Sequence, residues 1–171
     1  MIGNQDIFKI VAKLSIEDKF KRQWLNDIHD SVKHPIARTY KCFKFDYICE
    51  PYLLKVTNFR HRQSLARLRT STHALHIEAD RHKKQIPNVS ERKCDFCNIL
   101  EDEMHFMTTC PLYNEKRNKL FELIGLYPHV VNSFSSIDVF AYIMNLKERC
   151  HLIALAEFVD KSFKKRKLTL E

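Results

Sequence analysis

The chain has 171 residues, 44% of them hydrophobic and 29% charged, with six cysteines and only two glycines, Gly3 and Gly125. Two glycines cannot build a P-loop or Rossmann phosphate cradle and leave little material for tight hairpins, so Gly-rich nucleotide enzymes are excluded and a helix-rich chain is favoured. Lys and Arg exceed Asp and Glu by eight, a balance that favours nucleic acid, acidic protein or a membrane surface as partner.

The composition supports a buried core and fits one domain with a small appendage. The longest apolar stretch, residues 152–159, is interrupted by Glu157 and falls far short of the roughly 20 residues of a membrane span. The amino terminus lacks the basic-then-apolar pattern of a secretory signal. The expectation is a nuclear or cytoplasmic protein, not secreted and without a membrane partner. In that setting the Asn88-Val89-Ser90 sequon is inert. The cysteines at 42, 49, 94, 97, 110 and 150 then read as one metal site plus ordinary buried thiols, not as a disulfide framework.

In chain order, residues 7–14 are weakly amphipathic. Ser15-Ile16-Glu17-Asp18 has the form of a helix start, a hydroxyl cap followed by acids. The helix should run to about Asp30, with Ile16, Phe20, Trp24 and Ile28 on one face and Trp24 in the core. Pro35 should stop it. Residues 39–57 are rich in aromatics, a density that suits a helix face or a strand, and the first part is taken as a short helix before the break at Pro51. Tyr40, Phe43, Phe45 and Tyr47 suit the core, or a stacking surface for bases. Asn58 caps a helix carrying Arg60, Arg62, Leu65, Leu68 and Arg69.

From residue 58 to 93 there are nine Lys or Arg against Glu78, Asp80 and Glu91, the most basic part of the chain. Arg60, Arg62, Arg67, Arg69, Arg81, Lys83 and Lys84 are the candidate phosphate contacts, because guanidinium forks and ammonium groups match phosphate oxygens. The alternative is a solvated helix face with some arginines held by Glu17, Asp18 or Glu78. His73 and His76 have no nucleophile or orienting group beside them and read as structural or phosphate contacts. Pro111 fits the first turn of a helix with Leu112, Leu120, Phe121 and Ile124 inward, and Gly125 fits its stop. Ser135 or Ser136 opens a helix to about Asn145. A last helix covers about 148–163 and ends in Lys164-Lys165-Arg166-Lys167, which reads as a nuclear signal, a phosphate-binding tail or a soluble helix terminus.

Cys94, Cys97, His105 and Cys110 form C-x2-C-x7-H-x4-C. A two-residue gap lets one turn present two thiolates to one ion, and four protein ligands fill a tetrahedral zinc site completely. The spacing therefore predicts one structural Zn2+ in a knuckle that leads into a helix. Glu101, Asp102 and Glu103, between the ligand pairs, read as a solvated loop rather than a catalytic base. The whole is an all-α chain with a small zinc knuckle. It divides into an N-terminal helical region (1–57), a basic helical segment (58–93), the knuckle (94–110) and C-terminal helices (111–171), which together form one compact unit.

Residues 67–78, RLRTSTHALHIE, then Arg81-His82, Arg92-Lys93-Cys94-Asp95-Phe96-Cys97, Glu101-Asp102-Glu103-Met104-His105-Phe106 and Cys110-Pro111-Leu112-Tyr113 with Arg117 resemble the C-terminal region of LINE-type (non-LTR) retrotransposon polyproteins, which are endonuclease–reverse transcriptases. The resemblance is specific from Arg60 to Arg117 and looser through Glu50-Pro51-Tyr52-Leu53 and the closing helix. It implies that Cys94, Cys97, His105 and Cys110 hold zinc and that the Arg-rich stretch faces RNA or DNA.

The catalytic parts of such polyproteins are missing. There is no YxDD motif and no Pro-Asp dipeptide, and the chain has no room for an apurinic-type endonuclease. The expectation is a non-catalytic, zinc-stabilised nucleic-acid-binding module, whether a truncated copy, an excised domain or a derived host gene. The rival readings are a scaffold that packs on the polymerase domain of the parent polyprotein, and a folded relic without function. A scaffold expressed alone should expose an apolar patch and self-associate.

Overall fold

The computed structural model describes residues 4–30 and 37–170. Among these residues every regular element is helical, and the one extended pairing is the isolated bridge between Lys93 and Leu100. The all-α expectation holds.

Helix α1 runs unbroken over Asn4–His29. It does not start at Ser15. No proline or glycine interrupts residues 4–29, and the i,i+4 pairs Lys13–Glu17 and Asp18–Arg22 support the middle. Pro35, expected as the stop, lies outside the described residues. The predicted apolar row is only partly used. Ile28 is buried, Trp24 is half-buried with its ring 5.5 Å from that of Tyr47, and Ile16 and Phe20 are exposed. Trp24 is thus a surface anchor rather than a core residue, because the helix leaves the body one turn before it.

A 3-10 turn over Tyr40–Cys42 follows. Pro51 opens α2 (Pro51–Lys55) at its first turn instead of merely ending the aromatic segment. Of the aromatics, Phe43 is fully buried, Tyr40 half-buried, and Phe45 and Tyr47 exposed. Helix α3 (Phe59–Arg69) is capped as predicted, with Asn58 Oδ1 accepting from His61 N at 3.2 Å. The short α4 (His76–Ala79) continues into a 3-10 turn over Asp80–His82. The sequon asparagine has a structural role, since Asn88 and Glu91 form a capping box around the 3-10 turn Val89–Glu91.

Beyond the cysteine cluster, Pro111 starts a 3-10 turn (Pro111–Tyr113) that passes into α5 (Asn114–Leu123). Leu120, Phe121 and Ile124 are buried and Leu112 is half-buried, as the pattern predicted. Gly125 stops the helix with φ +74°. A β-carbon there would meet nothing within 4 Å, so Gly125→Ala carries a backbone cost alone. We expect a loss of about 1–2 kcal/mol in a urea melt, with the native fold kept.

Helix α6 (Pro128–Val131) is an addition to the predicted elements. Helix α7 (Ser136–Met144) is capped by Ser135 Oγ, which accepts from Asp138 N. Helix α8 (Arg149–Leu170) outlasts its predicted end by about two turns. It is the spine of the molecule, with α3, α5 and α2 all packed along it. Leu152, Leu155, Ala156, Val159 and Ser162 are buried on it at helical spacing. Phe106 stacks on Phe163 at 4.9 Å and meets Tyr113 at 4.8 Å, which ties the cysteine cluster's helical turn to this spine. No described helix is long and apolar enough to cross a membrane.

Candidate metal centre and basic surface

The first ligand pair sits on a minimal hairpin. Lys93 bridges Leu100, Cys94 N donates to Ile99 O at 2.7 Å, and Asn98 N returns to Cys94 O at 2.8 Å. The turn needs one left-handed residue, and Asn98 supplies it at φ +58°. Asparagine tolerates that region, so a chain poor in glycine can still make the turn. The second pair brackets a π-helical turn, His105–Thr109. Its widened geometry leaves Cys110 N bonded to His105 O at 2.9 Å and swings Cys110 beneath the hairpin.

The donor atoms of Cys94, Cys97, His105 and Cys110 all lie within 4.8 Å of one another. Cys94 Sγ and Cys110 Sγ are 3.9 Å apart, and Cys97 Sγ is 3.1 Å from His105 Nε2. The sulfur separation is far beyond the roughly 2.05 Å of a disulfide. Burial pushes the thiols of Cys94 and Cys110 up, that of Cys110 to about 12, and pushes His105 down. Four donors gathered in one place can bind a metal ion, whose charge would stabilise thiolates there.

Residues that sequence reasoning missed hold these ligands. His105 Nδ1 is 3.0 Å from Thr109 Oγ1, so a metal on Nε2 leaves Nδ1 to donate to that hydroxyl. Asp102 Oδ1 accepts from His105 N at 2.7 Å. Arg117 donates to Met107 O at 3.0 Å and to Cys110 O, clamping the loop on both sides. Its positive charge beside Cys110 would offset the thiolate charge of a metal-bound state.

The acidic triplet is not a solvated loop. Glu101 and Glu103 are 3% and 0% exposed, and Asp102 is half-buried. Glu101 accepts from Nε and Nη2 of Arg166, each at 2.7 Å, and from His76 N at 2.7 Å. Glu103 accepts from Arg38 Nη2 at 2.7 Å, from Ser71 Oγ at 2.7 Å and faces His73 Nε2 at 3.0 Å. Saturated and sealed, Glu103 anchors structure and is not a base open to substrate. His73 is part of that anchor, and His76 links Asp80 and Asp95.

The predicted phosphate contacts separate into classes. Arg60, Arg67, Lys83 and Lys84 are exposed, and Lys83 is paired with Asp80 at 2.6 Å. Arg62 is half-buried over the Phe59 ring and bonded to Val56 O. Arg81 is half-buried and paired with Glu78 at 2.9 Å. Arg69 is a correction, since it does not reach the surface. It is 2% exposed, stacks on Phe43 at 4.5 Å, and is bonded to Glu50 and Met144 O. An arginine at the inner edge of α3 finds these partners only through the tertiary fold. The basic tail is also partly internal, with Lys164 on Asp160, Lys165 on Leu112 O and Arg166 on Glu101. The remaining cysteines are not buried thiols either, for Cys42 is half-buried and Cys49 and Cys150 are exposed.

The buried set holds five cations (Lys44, Arg69, Arg92, Arg117 and Arg166) and five carboxylates (Glu78, Asp80, Glu101, Glu103 and Asp160). These cancel, so among the described residues the net positive charge belongs to those that are not buried. Comparison with family models, with curated proteins and with solved structures returns no match.

Proposed function

We propose that the chain is a zinc-stabilised, non-catalytic nucleic-acid-binding module resembling the C-terminal region of a non-LTR retrotransposon polyprotein. The observation that carries this reading is the closed cluster of Cys94, Cys97, His105 and Cys110. Zinc–sulfur bonds of about 2.3 Å in a tetrahedron place sulfurs about 3.8 Å apart, and Cys94 and Cys110 stand at 3.9 Å. Three thiolates and one imidazole are a zinc donor set, and four protein ligands leave no open position for catalysis. The unbalanced positive charge outside the buried set favours a polyanion as partner. Arg60 and Arg67 are seven residues apart, hence on one face of α3, and both are exposed.

The test is a titration of zinc-loaded protein with single-stranded RNA and with duplex DNA at two salt concentrations. Log affinity should fall with log salt by about 0.7–0.9 per phosphate contacted. Arg60→Ala/Arg67→Ala should flatten that slope by roughly two contacts and leave the melting temperature unchanged. Arg69→Ala is no substitute, because it removes a core group. Absence of salt-sensitive binding to either nucleic acid refutes the reading.

One observation favours a second reading, a scaffold for protein interaction. Helix α1 exposes Ile7, Ile10, Val11 and Leu14 on adjoining turns, and apolar patches of that kind mark contact surfaces. Self-association in light scattering that Val11→Glu/Leu14→Glu abolishes would support it, and a monomer would weigh against it.

A further inference from the structure

We propose that the cleft between the end of α1, the Asp80–His82 turn and the cysteine hairpin is a phosphate-binding pocket, with Arg38, Lys41 and Arg81 as its ligands. The cleft has a volume of about 380 Å³, and Ile28, Ile77 and Leu100 give it apolar walls. Among the described residues four cations line it, Arg38, Lys41, Arg81 and Arg92, against one carboxylate, Glu78. Glu103, bonded to Arg38 from behind, adds a second negative charge. Four cations against two carboxylates leave the pocket positive.

The cations differ in what they have left to give. Arg92 is spent, since its three nitrogens donate to the carbonyls of Pro87 and Ile77. Arg38 uses Nη2 alone, toward Glu78 and Glu103. Arg81 uses Nη1 alone, toward Glu78. Among the described residues, no acceptor meets Nε or Nη1 of Arg38, Nε or Nη2 of Arg81, or Nζ of Lys41. Both guanidiniums remain open to solvent, with side-chain exposures of 34% and 28%.

Glu78 makes this a built arrangement. Its Oε1 lies 3.2 Å from Arg38 Nη2 and its Oε2 lies 2.9 Å from Arg81 Nη1. One buried carboxylate therefore holds two guanidinium forks at the same cleft. The side-chain entropy of orienting them is lost on folding and need not be lost again on binding. Arg81 keeps its Nε/Nη2 fork, which matches two oxygens of a phosphate bidentately, Arg38 adds single donors from Nε and Nη1, and low-dielectric walls strengthen the attraction. The volume falls within the roughly 300–1,000 Å³ of small-ligand sites, enough for a phosphate and its sugar.

The inference rests on the nucleic-acid reading for the source of the phosphate, a terminal or a backbone group, but not for the chemistry of the pocket. Its test begins with inorganic phosphate titrated into the zinc-loaded full chain by calorimetry. Lys41→Ala/Arg81→Ala leaves Glu78 paired with Arg38, so the fold should be kept at a lowered melting temperature, and Lys41→Ala alone should leave the melting temperature unchanged. Phosphate affinity should fall in both, by about tenfold or more in the double variant. Arg60→Ala/Arg67→Ala should leave phosphate affinity unchanged. An RNA oligomer with a 5′-phosphate is then compared with its 5′-hydroxyl form. Preference for the first assigns a terminal phosphate, and equal affinities, both reduced by Lys41→Ala/Arg81→Ala, assign a backbone phosphate.

Absence of saturable phosphate binding, or binding untouched by Lys41→Ala/Arg81→Ala, overturns the pocket. RNA binding that needs Arg60 and Arg67 but ignores Lys41 and Arg81 overturns nucleic acid as the source of the phosphate, with the module reading intact. Phosphate binding at the cleft in a chain that binds no nucleic acid keeps the pocket and refutes the module.

Discussion

Cys97→Ser is expected to release the metal and unfold residues 92–111, so that one zinc per chain falls to none by mass spectrometry and amide protection across the segment disappears. Outside the ligands, the hairpin is tied through Arg92, Asp95 and Glu101 on its two arms to Ile77 O, His76 and Arg166. Its backbone support is the Lys93–Leu100 bridge and the bonds around Cys94, Asn98 and Ile99. Structural zinc contributes about 10–16 kcal/mol in finger peptides, comparable with the about 5–15 kcal/mol stability of a whole domain. The damage should spread, because Phe106 and Met107 of the π-helical turn are fully buried in the common core. Cys150→Ser, at an exposed cysteine, should change neither zinc content nor melting temperature. A Cys97→Ser protein that kept its zinc and its melting temperature would sink the metal assignment.

Glu103→Gln should cost about 3–5 kcal/mol in a denaturant melt, the range for removing one partner of a buried ion pair. The substitution keeps the shape and removes the charge that Arg38, Ser71 and His73 surround. Burial opposes ionisation of Glu103, yet hydrogen bonding and charge from His73, with Arg38 and Ser71, hold its carboxyl down at about 2 against an ordinary 4.5. A carboxyl depressed by folding stabilises the native state above its unfolded value, and that contribution is lost as pH falls. The wild type should therefore lose stability between about pH 4.5 and pH 2, and Glu103→Gln should lose less over the same window. Equal acid sensitivity in both proteins would show that Glu103 does not act as this anchor.

Much of the local structure was legible in the chain. Asn58 and Ser135 cap helices where a side-chain oxygen precedes an apolar periodicity. Pro111 and Gly125 bound α5 because each satisfies a backbone condition that its neighbours cannot. The four metal-ligand candidates were legible for the same reason, since C-x2-C and H-x4-C each depend on one turn. Helix α1 was misread at its start because Ser15 has the form of a cap, yet nothing in residues 4–14 stops a helix from passing through it.

The fate of the charged residues was not legible. Arg69 and Arg67 are two positions apart and look alike in sequence, but one points into the core and the other into solvent. Glu101 and Glu103 read as loop acids until Arg166 and Arg38, each 65 residues away, arrive beside them. The sequence by itself determined most of the helices, the caps at Asn58 and Ser135 and the candidate metal-ligand set, because those depend on residues a few positions apart. Only the tertiary structure decided which cations balance buried carboxylates and which remain outside to meet an anion, because that balance is struck between segments whose order in the chain carries no record of their distance in space.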